Sequence, residues 1–450
     1  MERRKFLGSM AAGGLGLLGL PRAWADGSST PVLFPVPTGT GISGRVVVLG
    51  GGMAGAAVAK YLRLWGGNGV TVFLVEASPS YTSNIMSNTV LTGQRTLASL
   101  NYGYDTLVSH YGVTRVNDRV SGIDRTGKRV ALESGGSIDY DRLVLAPGLE
   151  FDLMPGMSNP NEYEALIPHA WKAGPQTQLL RNQLVAMSAG QNVVMTIPKA
   201  PYRCPPGPYE RACVIADWLK KNKPGSRIIV LDANAGIVVE KDNFNRAFTV
   251  THAGVVDYRP GCIVTDVNSA SRVVSYNQVI NSIPVATNAR EQAAVLNPIP
   301  PQRAPLLLKD AGLLLSTDPN KPFAPVDVLS YQSKVDPLIH VIGDASLTTQ
   351  PKAGHIGNQQ AKTCADAIVR LLSNQPLNAQ VVTNSACYTP ITSTTATWLA
   401  AVYQYDSASQ TMVIPAQHNN GNAIAANAAT TDNYQDMQTW FKTLMGDTFS

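Results

Sequence analysis

Gly50, Gly52 and Gly55 stand in the run Gly50-Gly51-Gly52-Met53-Ala54-Gly55, which satisfies G-x-G-x-x-G. Each glycine has a task in holding a pyrophosphate. The first allows a tight turn, the second lets the backbone approach the phosphates, and the third lets a helix pack closely on a strand. Ala54 belongs to the same binding turn. Glu76, about 20 residues on, is placed to accept a ribose hydroxyl. The flanking segments supply the frame. Val46-Val47-Val48-Leu49 reads as a buried parallel strand. Ala56, Ala57, Val58, Tyr61, Leu62 and Leu64 follow at helical spacing, and a second apolar run, Val70–Val75, ends at Glu76. The pyrophosphate would lie on the helix N-terminus, where free N–H groups favour anions. Strand, loop, helix, strand and acid in this order separate a dinucleotide site from a glycine-rich turn beside a surface Glu.

Two later stretches say which dinucleotide. Residues 141–148, Asp-Arg-Leu-Val-Leu-Ala-Pro-Gly, form an apolar strand that turns at Gly148. Residues 338–344, Leu-Ile-His-Val-Ile-Gly-Asp, form another, ending in Gly343 and Asp344. In flavoproteins with two dinucleotide-type domains, the first element returns the chain from the FAD domain and the second sets an Asp on the ribityl chain. The cofactor expected in the first domain is therefore FAD. A second such fold should open at residues 193–197, but no glycine loop follows. Residues 198–210 instead read Pro-Lys-Ala-Pro-Tyr-Arg-Cys-Pro-Pro-Gly-Pro-Tyr-Glu. Prolines lack N–H donors and crowd a pyrophosphate, so this half is not expected to hold NAD(P).

Composition bounds the rest. Residues 1–25 resemble a twin-arginine export signal: Arg3-Arg4-Lys5-Phe6-Leu7, an apolar run through Leu20, and the small-x-small site Ala23-Trp24-Ala25. The expected location is the periplasm. That segment carries +3 of the formal net charge of +5 and leaves +2 after cleavage, which gives nucleic-acid binding no support. No further apolar run suits a membrane span. Residues 26–43 read as a linker. Five cysteines, Cys204, Cys213, Cys262, Cys364 and Cys387, leave an odd thiol; no C-x-x-C-H and no metal-ligand spacing occur, so neither attached haem nor metal is expected.

The run from Arg203 to Glu210 resembles the flavoprotein subunit of flavocytochrome c sulfide dehydrogenase. Pro168-His169-Ala170-Trp171-Lys172-Ala173-Gly174, Pro300-Pro301-Gln302-Arg303-Ala304, Val341-Ile342-Gly343-Asp344-Ala345, residues 384–388 and Gly446-Asp447-Thr448-Phe449 are similar to other segments of that family. The resemblance implies an α/β fold with two glutathione-reductase-like, dinucleotide-binding-type domains and a C-terminal α+β interface domain. The expected division is 44–170 with 300–376 for FAD, 171–299 for the second domain, and 377–450 for the third. It also implies sulfide or a related reduced sulfur compound as substrate, and a c-type cytochrome subunit as electron acceptor. In that chemistry a sulfur nucleophile opens a redox disulfide and two electrons pass to the flavin.

Two departures from the family pattern matter. Where the family attaches FAD to a cysteine, Asn84 or, in a second register, Ser83 stands, so the flavin should be non-covalent. Where the second redox cysteine follows Gly-Asp-Ala, Ser346 stands, and Cys204 loses that partner. The resemblance makes Cys204 a reactive thiol over the flavin, with a thiolate favoured by a helix N-terminus and Arg203. It makes Glu210 a proton carrier. Lys352 and the helix starting at Gly354 should stabilise reduced flavin. His355 reads as a hydrogen-bonded structural residue before it reads as a relay. Cys213 reads as core, and residues 418–432 as a flexible loop. Two other readings stand beside sulfide oxidation: a flavin dehydrogenase for another substrate, and a non-catalytic flavoprotein serving electron transfer or assembly.

Overall fold

The computed structural model describes residues 33–314 and 322–450. The export segment therefore lies outside the described residues, as does part of the linker. The elements that position the site are β1 (Gly44–Leu49), α1 (Met53–Gly66), β2 (Val70–Val75), β3 (Thr114–Val116) and β4 (Arg142–Leu145). They continue with α2 (Pro175–Ala186), β5 (Asn192–Ile197), α3 (Gly207–Asn222), β6 (Arg227–Asp232), β7 (Val256–Arg259), β8 (Val295–Pro298) and β9 (Ile339–Val341). The last are α4 (Gly354–Leu372), β10 (Val382–Pro390), β11 (Ala396–Asp406), β12 (Thr411–Val413) and α5 (Thr431–Phe449).

The first sheet runs β9-β4-β1-β2-β3 and is parallel throughout. Parallel strands covered on both faces need apolar side chains on both sides. Val46, Val47 and Val48 have no exposed surface, nor do Val72 and Leu74. Burying each such side chain contributes about 1.5–3 kcal/mol. α1 can lie close to this sheet because its inner face is Ala56, Ala57 and Ala59 with Val58 and Leu62. It stops at Gly67, whose φ of 77° suits a residue without Cβ. α4 packs alongside α1.

The second sheet runs β7-β6-β5-β8, again parallel. A three-stranded antiparallel ribbon, Cys262–Asn268, Val273–Ile280 and Ile283–Gln292, extends between β7 and β8. The C-terminal part is antiparallel: β10 pairs with β11 and β11 with β12. α5 starts with a Thr430 side-chain cap on the Asn433 N–H. Mixed α/β layers around two parallel sheets bear out the expected fold class. Residues 418–432, expected as a flexible loop, are tied into this part. Ile424 and Ala425 pair with β11, Ala426 O accepts from Asn243 Nδ2 at 2.8 Å, and Thr430 pairs with Ala396. Low complexity hid backbone carbonyls that had partners.

Candidate active site

One cleft, with about 180 Å³ of interior space and partly open to solvent, gathers most of the residues singled out in the sequence. Gly52 lines it from the loop before α1 and Ala54 from the first turn of α1, Asn84 and Gly148 from the loops beyond β2 and β4. Gly343 and Asp344 join from the turn after β9, Gly354 from the start of α4, and Cys204 and Glu210 from the start of α3. Gly50 and Gly55 stand behind it. Gly50 has φ 95°, and a Cβ on Gly55 would fall 1.7 Å from Gly50 O, so helix and loop touch there as backbone. Glu76 lies outside the cleft, where its carboxylate accepts from the N–H groups of Gly51 and Ser78, both at 2.8 Å. Ala54 has a packing role: its Cβ would meet a Cβ on Gly343 at 3.2 Å and one on Gly357 at 3.5 Å. Small residues at these three places let α1, α4 and the Asp344 turn converge.

Three helix N-termini reach this cleft. α1 and α4 have Gly52 and Ala353 as caps, neither with a side-chain hydrogen bond, and no acid in the first turn. α3 begins after Pro206 and carries Glu210 in its first turn. Uncapped N–H groups and the positive ends of two helices favour an anionic ligand.

Glu210 is buried, and Asn88 Nδ2 donates to its Oε1 at 2.8 Å. Asn88 Oδ1 in turn accepts from Arg211 Nε at 2.8 Å. Arg211 is 1 % exposed and donates onward to the carbonyls of His169 and Ala170 and to Asn297 Oδ1. Its guanidinium lies 4.6 Å from the Trp171 ring. Burial pushes the Glu210 carboxyl up to about 7, against the opposing pull of Asn88 and Arg211. Burial lowers Arg211 to about 9. A carboxyl titrating near neutrality inside a cleft can hold or release a proton under ordinary conditions.

Cys204 departs from expectation. Its thiol is pushed well above the ordinary value, first by burial, then by Cys387 and Glu210, with Arg203 opposing only in part. Arg203 is occupied elsewhere: it donates to Trp171 O and pairs with Asp344 at 3.5 Å. The backbone at Cys204 is left-handed, φ 58°. Lys352 O holds it by accepting the Cys204 N–H at 2.7 Å, and Cys204 O accepts from Gly207 N at 2.8 Å.

Lys352 sits beside the cleft rather than in it. Its ammonium donates to Asp344 O and Ser346 O at 2.8 and 2.9 Å and lies 3.5 Å from the Phe323 ring centre. Burial lowers it to about 8. It therefore braces the Asp344 turn directly. Ser346 is buried and donates to Gly343 O at 2.8 Å. Asn84 Oδ1 accepts from Ala173 N at 2.7 Å. His355 Nδ1 accepts from Ala386 N at 3.0 Å, and burial lowers the ring to about 4, which keeps it neutral.

Comparison with known proteins agrees with this geometry. Residues 44–187 match the pyridine nucleotide-disulphide oxidoreductase family model. Residues 177–300 match the central domain of the sulfide dehydrogenase (flavocytochrome c) flavoprotein chain. The resemblance to the flavocytochrome c sulfide dehydrogenase flavoprotein is thus matched over the central part of the chain, next to a region of the pyridine nucleotide-disulphide oxidoreductase type. The fold is similar to that of the sulfide:quinone oxidoreductase of Aquifex aeolicus, with TM-score 0.71 and 17% identity over 90% of this chain and 91% of that one. It also resembles a chain of the covalent putidaredoxin reductase–putidaredoxin complex, with TM-score 0.60 and 18% identity over 90% and 96%. A curated relative, the ferredoxin–NAD(+) reductase component of the biphenyl dioxygenase system of Paraburkholderia xenovorans, is 30% identical over 104 residues, 23% of this chain and 26% of that protein. The chain thus spans about a quarter of the length of the curated relatives it matches.

These matches place the chain among FAD-binding oxidoreductases of the pyridine nucleotide-disulphide type. The residues fit FAD. A Cβ on Gly52 would meet only Tyr81, at 3.7 Å, so the backbone there is open to a phosphate. Bound FAD would have the two uncapped helix ends for its anionic groups and Asp344 for its ribityl chain, with Glu76 holding the glycine loop through the Gly51 N–H. FAD supplies a two-electron acceptor when bound. Sequence reading missed Asn88 as the link between Glu210 and Arg211, because that link joins residues far apart in the chain. It also counted Cys387 only as one of five thiols, although Cys387 lines the same cleft as Cys204.

Proposed function

We propose that this protein oxidises sulfide or a related reduced sulfur compound and passes the electrons through FAD to a c-type cytochrome, after export to the periplasm. One observation carries the reading. Cys204 and Glu210, a sulfur group and a carboxyl tuned near neutrality, share one cleft with the turns at Gly52 and Asp344 that this reading assigns to FAD. In this assignment Cys204 handles the substrate sulfur, Glu210 takes up or returns its proton, and Asn88 with Arg211 holds Glu210 in place. The Aquifex aeolicus neighbour is named for action on sulfide, which accords with the substrate class. The export segment and the family's cytochrome partner support the rest.

Anaerobic titration of the purified holoprotein with sulfide tests the proposal. The flavin should bleach, and added oxidised cytochrome c should restore its colour. A flavin that stays oxidised in excess sulfide would overturn the assignment. It would favour a flavoprotein that relays electrons without a substrate of its own, a reading supported by the strongly raised Cys204 thiol.

A further inference from the structure

Of the five cysteines, Cys213, Cys262 and Cys364 have no exposed surface and lie in apolar cores. The other two, Cys204 and Cys387, are partly accessible, and both line the cleft. Cys204 precedes α3, and Cys387 lies within β10, which packs against α3. We infer that Cys204 and Cys387 form one redox couple, joined as a disulfide in the oxidised protein and placed to exchange electrons with the flavin.

Three features support the pairing. The left-handed backbone at Cys204 is fixed by hydrogen bonds on both its N–H and its carbonyl, a conformation that costs a non-glycine residue energy and concentrates at functional positions. Its sulfur is confined, because a Cβ on Gly207 would come within 2.9 Å of both Cys204 Sγ and the Trp171 ring. β10 is fixed at its neighbouring residues. Ala386 N donates to His355 Nδ1, and Thr389 Oγ1 donates to Glu240 Oε1 at 3.2 Å. Burial raises both thiols first; Cys387 and Glu210 then raise Cys204 further, and Glu240 and Glu210 raise Cys387. High thiol values favour the bonded form or the dithiol over a resting thiolate. Ser346, in the family's second cysteine position, turns its hydroxyl onto Gly343 O and does not line the cleft.

The couple deepens the proposed function and rests on it for the identity of the nucleophile. Hydrosulfide attacks one sulfur of the disulfide; the S–S bond breaks, a persulfide forms there, and the other cysteine leaves as thiolate. A second hydrosulfide takes the outer sulfur as hydrodisulfide anion, which returns the pair as one thiol and one thiolate. The pair then gives two electrons and one proton to oxidised flavin and regains its S–S bond. Glu210 holds protons in transit.

The test begins with thiol counting. Holoprotein kept oxidised, then denatured in excess alkylating agent, should show three alkylated cysteines of the five, with a peptide cross-linked through Cys204 and Cys387. After treatment with dithiothreitol all five should be alkylated. Cys204→Ser and Cys387→Ser should each bind FAD, show no disulfide, and need half the reductant of the parent protein for complete reduction by dithionite. Five alkylated cysteines in the oxidised protein, or a disulfide through Cys213, Cys262 or Cys364, would overturn the couple. A confirmed disulfide in a protein whose flavin sulfide leaves oxidised would overturn the substrate and leave the couple standing.

Discussion

Glu210 sets a pH dependence whose sign follows from its environment. The folded carboxyl titrates at about 7 against an ordinary 4.5, so the native state prefers it protonated. Below the ordinary value the group costs the fold nothing. As pH rises from 4.5 through 7 the unfolded chain ionises first, and the native state loses up to about 3 kcal/mol before the loss levels off. Glu210→Gln keeps an oxygen for Asn88 and removes the ionisation. The variant should therefore unfold at a higher temperature than the parent at pH 8, with the difference closing near pH 4. In turnover it should also lose the limb of the pH profile centred near 7. Equal melting temperatures at pH 8 would contradict the burial cost assigned to this carboxyl. Asn84 carries a second expectation. An amide whose oxygen accepts from Ala173 N forms no thioether, so acid precipitation should release FAD into the supernatant. Flavin held in the pellet would show a covalent link elsewhere.

At the scale of elements, the loop between β5 and α3 decides which nucleotides the second sheet accepts. Pro198, Pro201, Pro205, Pro206 and Pro208 have no N–H to offer. The N–H groups of Ala200, Arg203, Cys204 and Gly207 are already bound to Asn234 Oδ1, Gln302 Oε1, Lys352 O and Cys204 O. An arriving pyrophosphate would find few donors and crowded rings. Rapid mixing with NADH or NADPH should leave the flavin oxidised, and reduction within the turnover time would overturn this account of the loop. These elements also show what the sequence could disclose. Runs such as Val46-Val47-Val48-Leu49 and the glycine loop announce themselves locally, because burial on both faces and positive φ each need particular residue types. The helix start at Gly207 was legible for the same reason, with proline in its first turn. The Asn88–Glu210–Arg211 link and the approach of Cys387 to Cys204 were not. They are made between segments far apart in the chain, and no local pattern encodes them. Cys204 misled because its helix terminus and Arg203 suggested a thiolate, while burial outweighs both.

For the whole molecule, the cleft is a meeting of parts that fold from distant stretches. Tyr81 and Tyr102 from the first sheet's excursions stack with Phe449 of α5 at 5.3 and 5.5 Å. Tyr61, Asn358 and Lys362 converge on Asp447. A change in α5 should accordingly be felt in the flavin domain: Asp447→Ala removes the shared acceptor of α1 and α4. It should lower thermal stability in the holoprotein and weaken FAD retention on gel filtration, whereas the same test on exposed Asp432, in the first turn of α5, should show neither effect.

The parallel pairing of β9 with β4, Ile339 beside Leu143, has a consequence in time. Translation delivers β1, the glycine loop and Glu76 early, yet the strand that carries Asp344 leaves the ribosome only after the whole second sheet has been made. Until then the nucleotide-binding layer has a raw edge, and sequence-distant closure of this kind is slow. A nascent chain arrested before Ile339 should hold no flavin, and one arrested well beyond Asp344 should begin to. On this account FAD is captured only late in synthesis, once the strand that leads to Asp344 has joined the sheet.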